Sequence, residues 1–275
     1  MLIRLGYDLQ FDIPYPVAMA AMLYIHPSRI PDLVEPDVLN LEPALKTTEY
    51  LDGFGNRVSR FLAASGRLRL SNSTLLQDSG KPDPVDTSAR EHPVEELPDD
   101  TLQFLLNSRY CEVDRLSSTA VELFGWMPKG WSRVQAICDW VHWKVKFGYH
   151  HARSTKTALD VFTERVGVCR DYQHLAITFC RALNIPARYA TGYLGDIGVP
   201  RNDPMDFSAW FEVFLEGRWW AFDARNNVPR IGRILMAVGR DASDVAMTTS
   251  FGIANLVSFR VVSDEVAAAV PSQPE

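Results

Sequence analysis

Apolar and polar positions alternate over short runs in the first part of the chain, and a helical spacing takes over after about residue 99. LIRLGYDLQFDI (2–13), AMLYIHP (21–27), EYLDGFGNRVSRFLAA (49–64) and GRLRLSNSTLLQDS (66–79) have the alternation and turn punctuation of strands. Asp52-Gly53 and Gly55-Asn56 are hairpin signals within them. This pattern predicts a small antiparallel β-sandwich or barrel over residues 1–98. Its last stretch, from about 80 to 98, is rich in proline and charge, lacks periodicity and reads as a linker.

Residues 99–266 begin with helical patterns. They are DDTLQFLLNSRYC (99–111), VDRLSSTAVELFG (113–125), WSRVQAICDWVHWKVKF (131–147) and TALDVFTERVG (157–167), the last closed by Gly167. In CRDYQHLAITFCRALNIP, Tyr172, Leu175, Ala176, Phe179 and Leu183 form one stripe, and Asn184 with Pro186 stops the helix. Strand patterns follow in ARYATGYL, FSAWFEVFL, RWWAFDA, RILMAVG and GIANLVSFRVV. Helices followed by antiparallel strands predict an α+β domain, with a disordered tail at 267–275.

Composition narrows the function classes. The 275 residues are 47% hydrophobic, as expected of an ordinary globular protein. A formal charge of -6 argues against nucleic acid or an anionic membrane as partner, leaving peptides, proteins or small molecules. No apolar run reaches bilayer-spanning length, and the charged, proline-containing start lacks the apolar segment of a secretory signal. A cytoplasmic location is expected. Oligomeric state is not legible.

Cys111, Cys138, Cys169 and Cys180 are too scattered for a disulfide framework, and no C-x-x-C pair suggests zinc. Three of them lie in apolar periodic segments and read as buried hydrophobes. Cys169 opens a helix, where unpaired N–H groups and the dipole favour thiolate over thiol. Gly167 before it would permit a sharp turn, and the Cys169 N–H could serve an oxyanion. A buried cysteine like Cys180, eleven positions on, is an equal alternative on position alone.

The strands downstream tilt that balance. If Glu216-Gly217 makes a hairpin turn, Trp210 pairs with Asp223, Ser208 lies diagonally beside them and Arg225 falls opposite Ser208. Asp223 is then a lone carboxylate at the end of WWAF, either holding a partner or capping a turn. Trp210, Trp219, Trp220 and Phe222 could line a cleft, although strand aromatics of this kind more often fill a core.

GVCRDYQHLAITFCRALNIPARYATGYL with SAWFEVFLEGRWWAFDARN resembles the transglutaminase-like superfamily of bacterial cysteine peptidases and acyl transferases. The β-rich first half and the SRYCEVDRL segment resemble the N-terminal region of the same bacterial group. The resemblance implies a papain-like core domain and a triad with Cys169 as nucleophile and Asp223 as orienting acid. Ser208 occupies the histidine position.

Serine cannot take the thiol proton or protonate a leaving amine at neutral pH, and loss of a general base costs about two to four orders of magnitude in rate. His174, five residues beyond Cys169, is roughly 140° around the helix and is expected to be structural. His150 and His151 could approach only from a loop, and His26, His92 and His142 have no sequence reason to be near. No cofactor or metal is expected. Two readings follow: a thiol-dependent amide hydrolase or acyl transferase of impaired activity, acting on a peptide, protein or small amide, or an inactive relative that binds a peptide or acyl ligand.

Overall fold

A computed structural model describes residues 1–201 and 205–266; the expected tail at 267–275 lies outside the described residues. The chain opens with β1 (Leu2–Ile13), whose alternation buries Ile3, Leu5, Leu9, Phe11 and Ile13 on one face. β2 (Val17–Ala21) precedes most of the AMLYIHP run, which leaves the sheet as it enters a 3-10 turn at Pro27–Asp32. The short β3 (Asn40–Glu42) follows, a strand too brief to show alternation. β4 (Thr47–Leu51) and β5 (Arg57–Ala63) form the expected hairpin, and β6 (Gly66–Gln77) pairs along nearly all of β1.

The next stretch has little regular structure, yet it is pinned to the second half. Asp83 accepts from Arg230 N and from the Arg233 guanidinium, Trp131 N donates to Ala89 O, and Glu91 forms a buried ion pair with Arg133. The helix expected from DDTLQFLLNSRYC is instead a 3-10 segment at Asp99–Leu105. The main helices are α1 (Val113–Phe124), α2 (Trp131–Lys144), α3 (Ala158–Glu164) and α4 (Cys169–Ala182). Two-residue strands β7 (Lys146–Phe147) and β8 (Val166–Gly167) pair in parallel just before α4. α3 closes at Arg165 in the left-handed region (φ 60°), and Gly167 belongs to β8, correcting the expected stop.

β9 (Ala187–Leu194), β10 (Ser208–Leu215), β11 (Arg218–Phe222) and β12 (Arg233–Gly239) build an antiparallel sheet in the order β11-β10-β9-β12. Leu215 pairs with Arg218 across Glu216-Gly217, both at positive φ, so the turn has two residues. The pairing runs to Phe211 opposite Phe222, the register expected from the sequence. One face of this sheet packs on α1, α2 and α4 through Ala209, Phe211 and Val213. Tyr193, Ile234 and Met236 on the opposite side join the sandwich core. With cover on both sides, every residue of β9 except Arg188 is buried, so the strand shows no alternation.

The last two strands return to the first half. β13 (Thr248–Ser250) pairs with β2, and β14 (Asn255–Val266) pairs with β1, giving sheets ordered β13-β2-β5-β4 and β14-β1-β6-β3. Strand pairing therefore crosses the sequence division expected at residue 98. Asn56 adds a polar seam: its side-chain amide donates to Val238 O and accepts from Val238 N, both at 2.8 Å. The hairpin tip is tied to β12 by a side chain that imitates a strand.

Candidate active site

Of the four cysteines, all unpaired, Cys111, Cys138 and Cys180 are buried and Cys169 alone is partly exposed. Burial pushes all three buried thiols up, Cys111 to about 11. Cys169 begins α4, one position after the cap residue Val168. Asp171 reaches back from the first turn to accept Val168 N at 2.9 Å. A Cβ on Gly167 would lie 2.7 Å from Asp171 Cβ and 2.8 Å from its Oδ2. Gly167 is thus required by the close approach of Asp171, not by a left-handed turn.

Cys169 and Ser208 line the same two chambers. The first, about 80 Å³, is polar and includes Tyr149, Asp196, Asp206, Arg225, Asn226 and Arg230. The second, about 230 Å³, is mainly apolar and includes Tyr189, Val245, Ala246, Met247 and Phe259. Asp206, Phe207 and Ser208 flank Cys169 in both. Ser208 is held at the start of β10 opposite Gly192, and its carbonyl accepts from Thr191 Oγ1 at 3.0 Å. A Cβ at residue 192 would meet Ile234 O at 2.0 Å, so glycine lets β12 close on β9 behind the site.

Asp223 lines neither chamber. Its Oδ1 accepts from Gln173 Nε2 (3.1 Å), Arg225 N (3.0 Å) and Asn226 N (3.1 Å), and its Oδ2 accepts from Asn226 Nδ2 at 2.8 Å. Arg233 approaches within 3.6 Å. The carboxylate is therefore a satisfied turn cap, and Asn226 stands between it and the polar chamber. The same Gln173 amide donates to Ala209 O, and its carbonyl accepts Ala224 N, so α4 fixes the ends of β10 and β11 together. A larger cavity of about 590 Å³ lies on the other side of Asp223, against Trp131, Cys138 and residues 83–87, and includes neither Cys169 nor Ser208.

The thiol opens onto the chambers, but protein encloses the sulfur on most other sides, and this desolvation pushes Cys169 up to about 11. Arg225 opposes the shift and Asp206 adds to it. The position at the helix start is outweighed, because burial penalises the thiolate more than the first N–H groups stabilise it. Asp206 is itself held above its usual range by desolvation, with the Phe207 N–H and Arg225 acting the other way.

No described histidine lines either chamber. His174 is fully buried, stacked on Tyr110 at 4.9 Å, with Nε2 accepting Ala242 N at 3.1 Å; burial lowers it to about 3. His150 and His151 lie ring to ring at 3.9 Å beside Tyr149, outside the chambers. His142, which no sequence signal placed nearby, donates from Nδ1 to Arg225 O at 2.8 Å. Trp210, Trp220 and Phe222 are buried and line neither chamber, and Trp131 packs on the last two. Sequence reasoning missed Asp206, Asn226 and Tyr149, although Asp206 two residues before Ser208 and Asn226 in DARN were the available signals. Among the described residues no histidine, cysteine and carboxylate cluster could hold a metal ion.

The transglutaminase-like superfamily profile matches residues 118–224, which run from within α1 through β11 and include Cys169, Ser208 and Asp223. The crystal structure of a candidate cysteine protease from Cytophaga hutchinsonii superposes with a TM-score of 0.82 at 30% identity, covering 98% of this chain and 92% of that one. The chain belongs to the transglutaminase-like superfamily. This likeness embraces the sandwich as well as the transglutaminase-like core. An uncharacterized protein of Mycobacterium leprae is 26% identical over 214 residues, 74% of this chain and 75% of that protein.

Proposed function

We propose that this transglutaminase-like protein is a thiol-dependent amide hydrolase or acyl transferase of weak turnover, acting on a peptide, protein or small amide through a thioester at Cys169. The observation that carries the reading is the partly exposed Cys169 at the start of α4, sharing both chambers with Ser208. In the reaction, the sulfur adds to the amide carbonyl, the C–N bond breaks, and the thiol proton ends on the leaving amine. Water or a second amine then cleaves the thioester and restores the thiol. Ser208 neither accepts the first proton nor returns it, so the unaided thiol supplies its own thiolate fraction. The four unpaired cysteines agree with a reducing, cytoplasmic setting. No described helix is long and apolar enough to cross a membrane.

The second reading, a non-catalytic relative that binds a peptide or acyl group, draws on two observations. Asp223 is saturated with hydrogen bonds, and the Cys169 thiol is pushed up. Restoring the base separates the two. In Ser208→His, the thiol should become reactive towards iodoacetamide near pH 7, and hydrolysis of peptide amides should rise by about two orders of magnitude or more. Unchanged Cys169 reactivity and unchanged hydrolysis in that variant would sink the enzyme reading.

A further inference from the structure

The two chambers differ in character, and both adjoin a groove along a second element, the polar one through Met205 and the apolar one through Phe259. Phe259 belongs to β14 and lines this groove, of about 370 Å³, with Arg201, Met205 and Arg260–Asp264. β14 lies at the end of its sheet, with β1 on one side and no described strand on the other. Its outward edge therefore presents main-chain donors and acceptors of the kind an added strand uses.

The side chains on this edge are unusual for their direction. Leu256 pairs with Phe11 and Phe259 with Leu9, residues that point into the sandwich core. Leu256 is nevertheless 51% exposed and Phe259 43%. Val257, at the bulge in this ladder, together with Ile253 and Phe251, extends the exposed apolar surface. The interior side of a sandwich is left open at the edge nearest the reactive thiol. A contiguous apolar patch of this sort marks a contact surface.

We propose that the occupant is an extended polypeptide, laid as an added strand along β14 with its apolar side chains on Leu256 and Phe259, so that its chain leads into the apolar chamber beside Cys169. The continuity of chamber and groove through Phe259 selects this occupant: a segment seated on β14 is delivered to the thiol. The inference rests on Cys169 as the reacting group and narrows the substrate from amides in general to unfolded or extended chains. A small amide would leave the β14 surface uncovered.

Binding can be read without turnover. Fluorescein-labelled β-casein, an unfolded polypeptide, would be titrated into the Cys169→Ala chain and into the same chain carrying Leu256→Asp and Val257→Asp, followed by fluorescence anisotropy. Hydrogen exchange across residues 255–262 would be compared with and without β-casein. The expected result is slowed exchange in β14 on binding, with affinity at least about tenfold weaker in the β14 variant, because charge on the patch opposes burial of apolar side chains. Iodoacetamide labelling of Cys169, measured in the chain that retains it, should be the same with and without the β14 substitutions. Equal binding by both chains, or no protection of β14, would overturn the proposal and leave Cys169 untouched. Association of two copies through β14, abolished by the substitutions without any change in casein binding, would overturn it too. Protection of β14 with an unreactive thiol in Ser208→His would uphold the docking surface and remove the catalytic reading instead.

Discussion

At the scale of single residues, the balance around Cys169 is set chiefly by burial and by two charged neighbours. Burial dominates and keeps the thiol protonated, Arg225 favours the thiolate, and Asp206 disfavours it. With the group at about 11, alkylation by iodoacetamide should climb about tenfold per pH unit between pH 7 and 10, with no plateau in that range. Replacing Asp206 by Asn removes a like charge and should speed labelling several-fold at pH 8, and Arg225→Gln should slow it by a similar factor. Rates that ignore both substitutions would show that the two side chains do not reach the sulfur electrostatically. The place of Cys169 at the start of α4 was legible because helix position is local. The capping of the turn by Asp223 was one of the two readings open in the sequence, whereas its partner Gln173 comes from α4 and meets it only in the fold.

Among the elements, α4 combines the reactive end with a buried polar interior. His174 is neutral in the core, held between Tyr110 and Tyr189, with Asp241, Arg170 and Arg181 in its electrostatic surroundings. Its folded value of about 3 lies below the ordinary 6.5, so the unfolded chain binds the extra proton first as pH falls. This contribution to stability is complete above about pH 6.5 and is lost on acidification towards 3, at about 1.4 kcal/mol per pH unit. Urea unfolding of His174→Gln should show a shallower decline between pH 6.5 and 4 than the parent. The hairpin between β4 and β5 offers a second case. Asn56→Ala strips both hydrogen bonds from the Val238 backbone in a buried setting and should lower stability by about 2–4 kcal/mol, seen as a reduced denaturant midpoint. The hairpin itself was readable from Asp52-Gly53, whereas the partner of Asn56 is 182 residues away.

For the whole molecule, the central sheet is the layer on which everything else depends: helices cover one face and the sandwich contacts the other. Because β13 and β14 complete the sandwich sheets, residues 1–98 on their own should fail to give a cooperative thermal transition, and deletion of residues 247–275 should abolish the single transition expected of the intact chain. A sharp melt for the isolated 1–98 segment by circular dichroism would contradict this arrangement. What the sequence determined by itself was local: the alternation of β1, the stripe of α4, the turn at Glu216-Gly217 and, through it, the register of β10 against β11. Those features depend on residues within a turn or a hairpin of one another, where spacing and side-chain type suffice. Only the tertiary structure decided which side of Cys169 is apolar, that Asn226 screens Asp223 from the chamber, and that an edge strand from the end of the chain lies beside the thiol. Each of these arises from contacts between segments far apart in sequence, and no local periodicity encodes them.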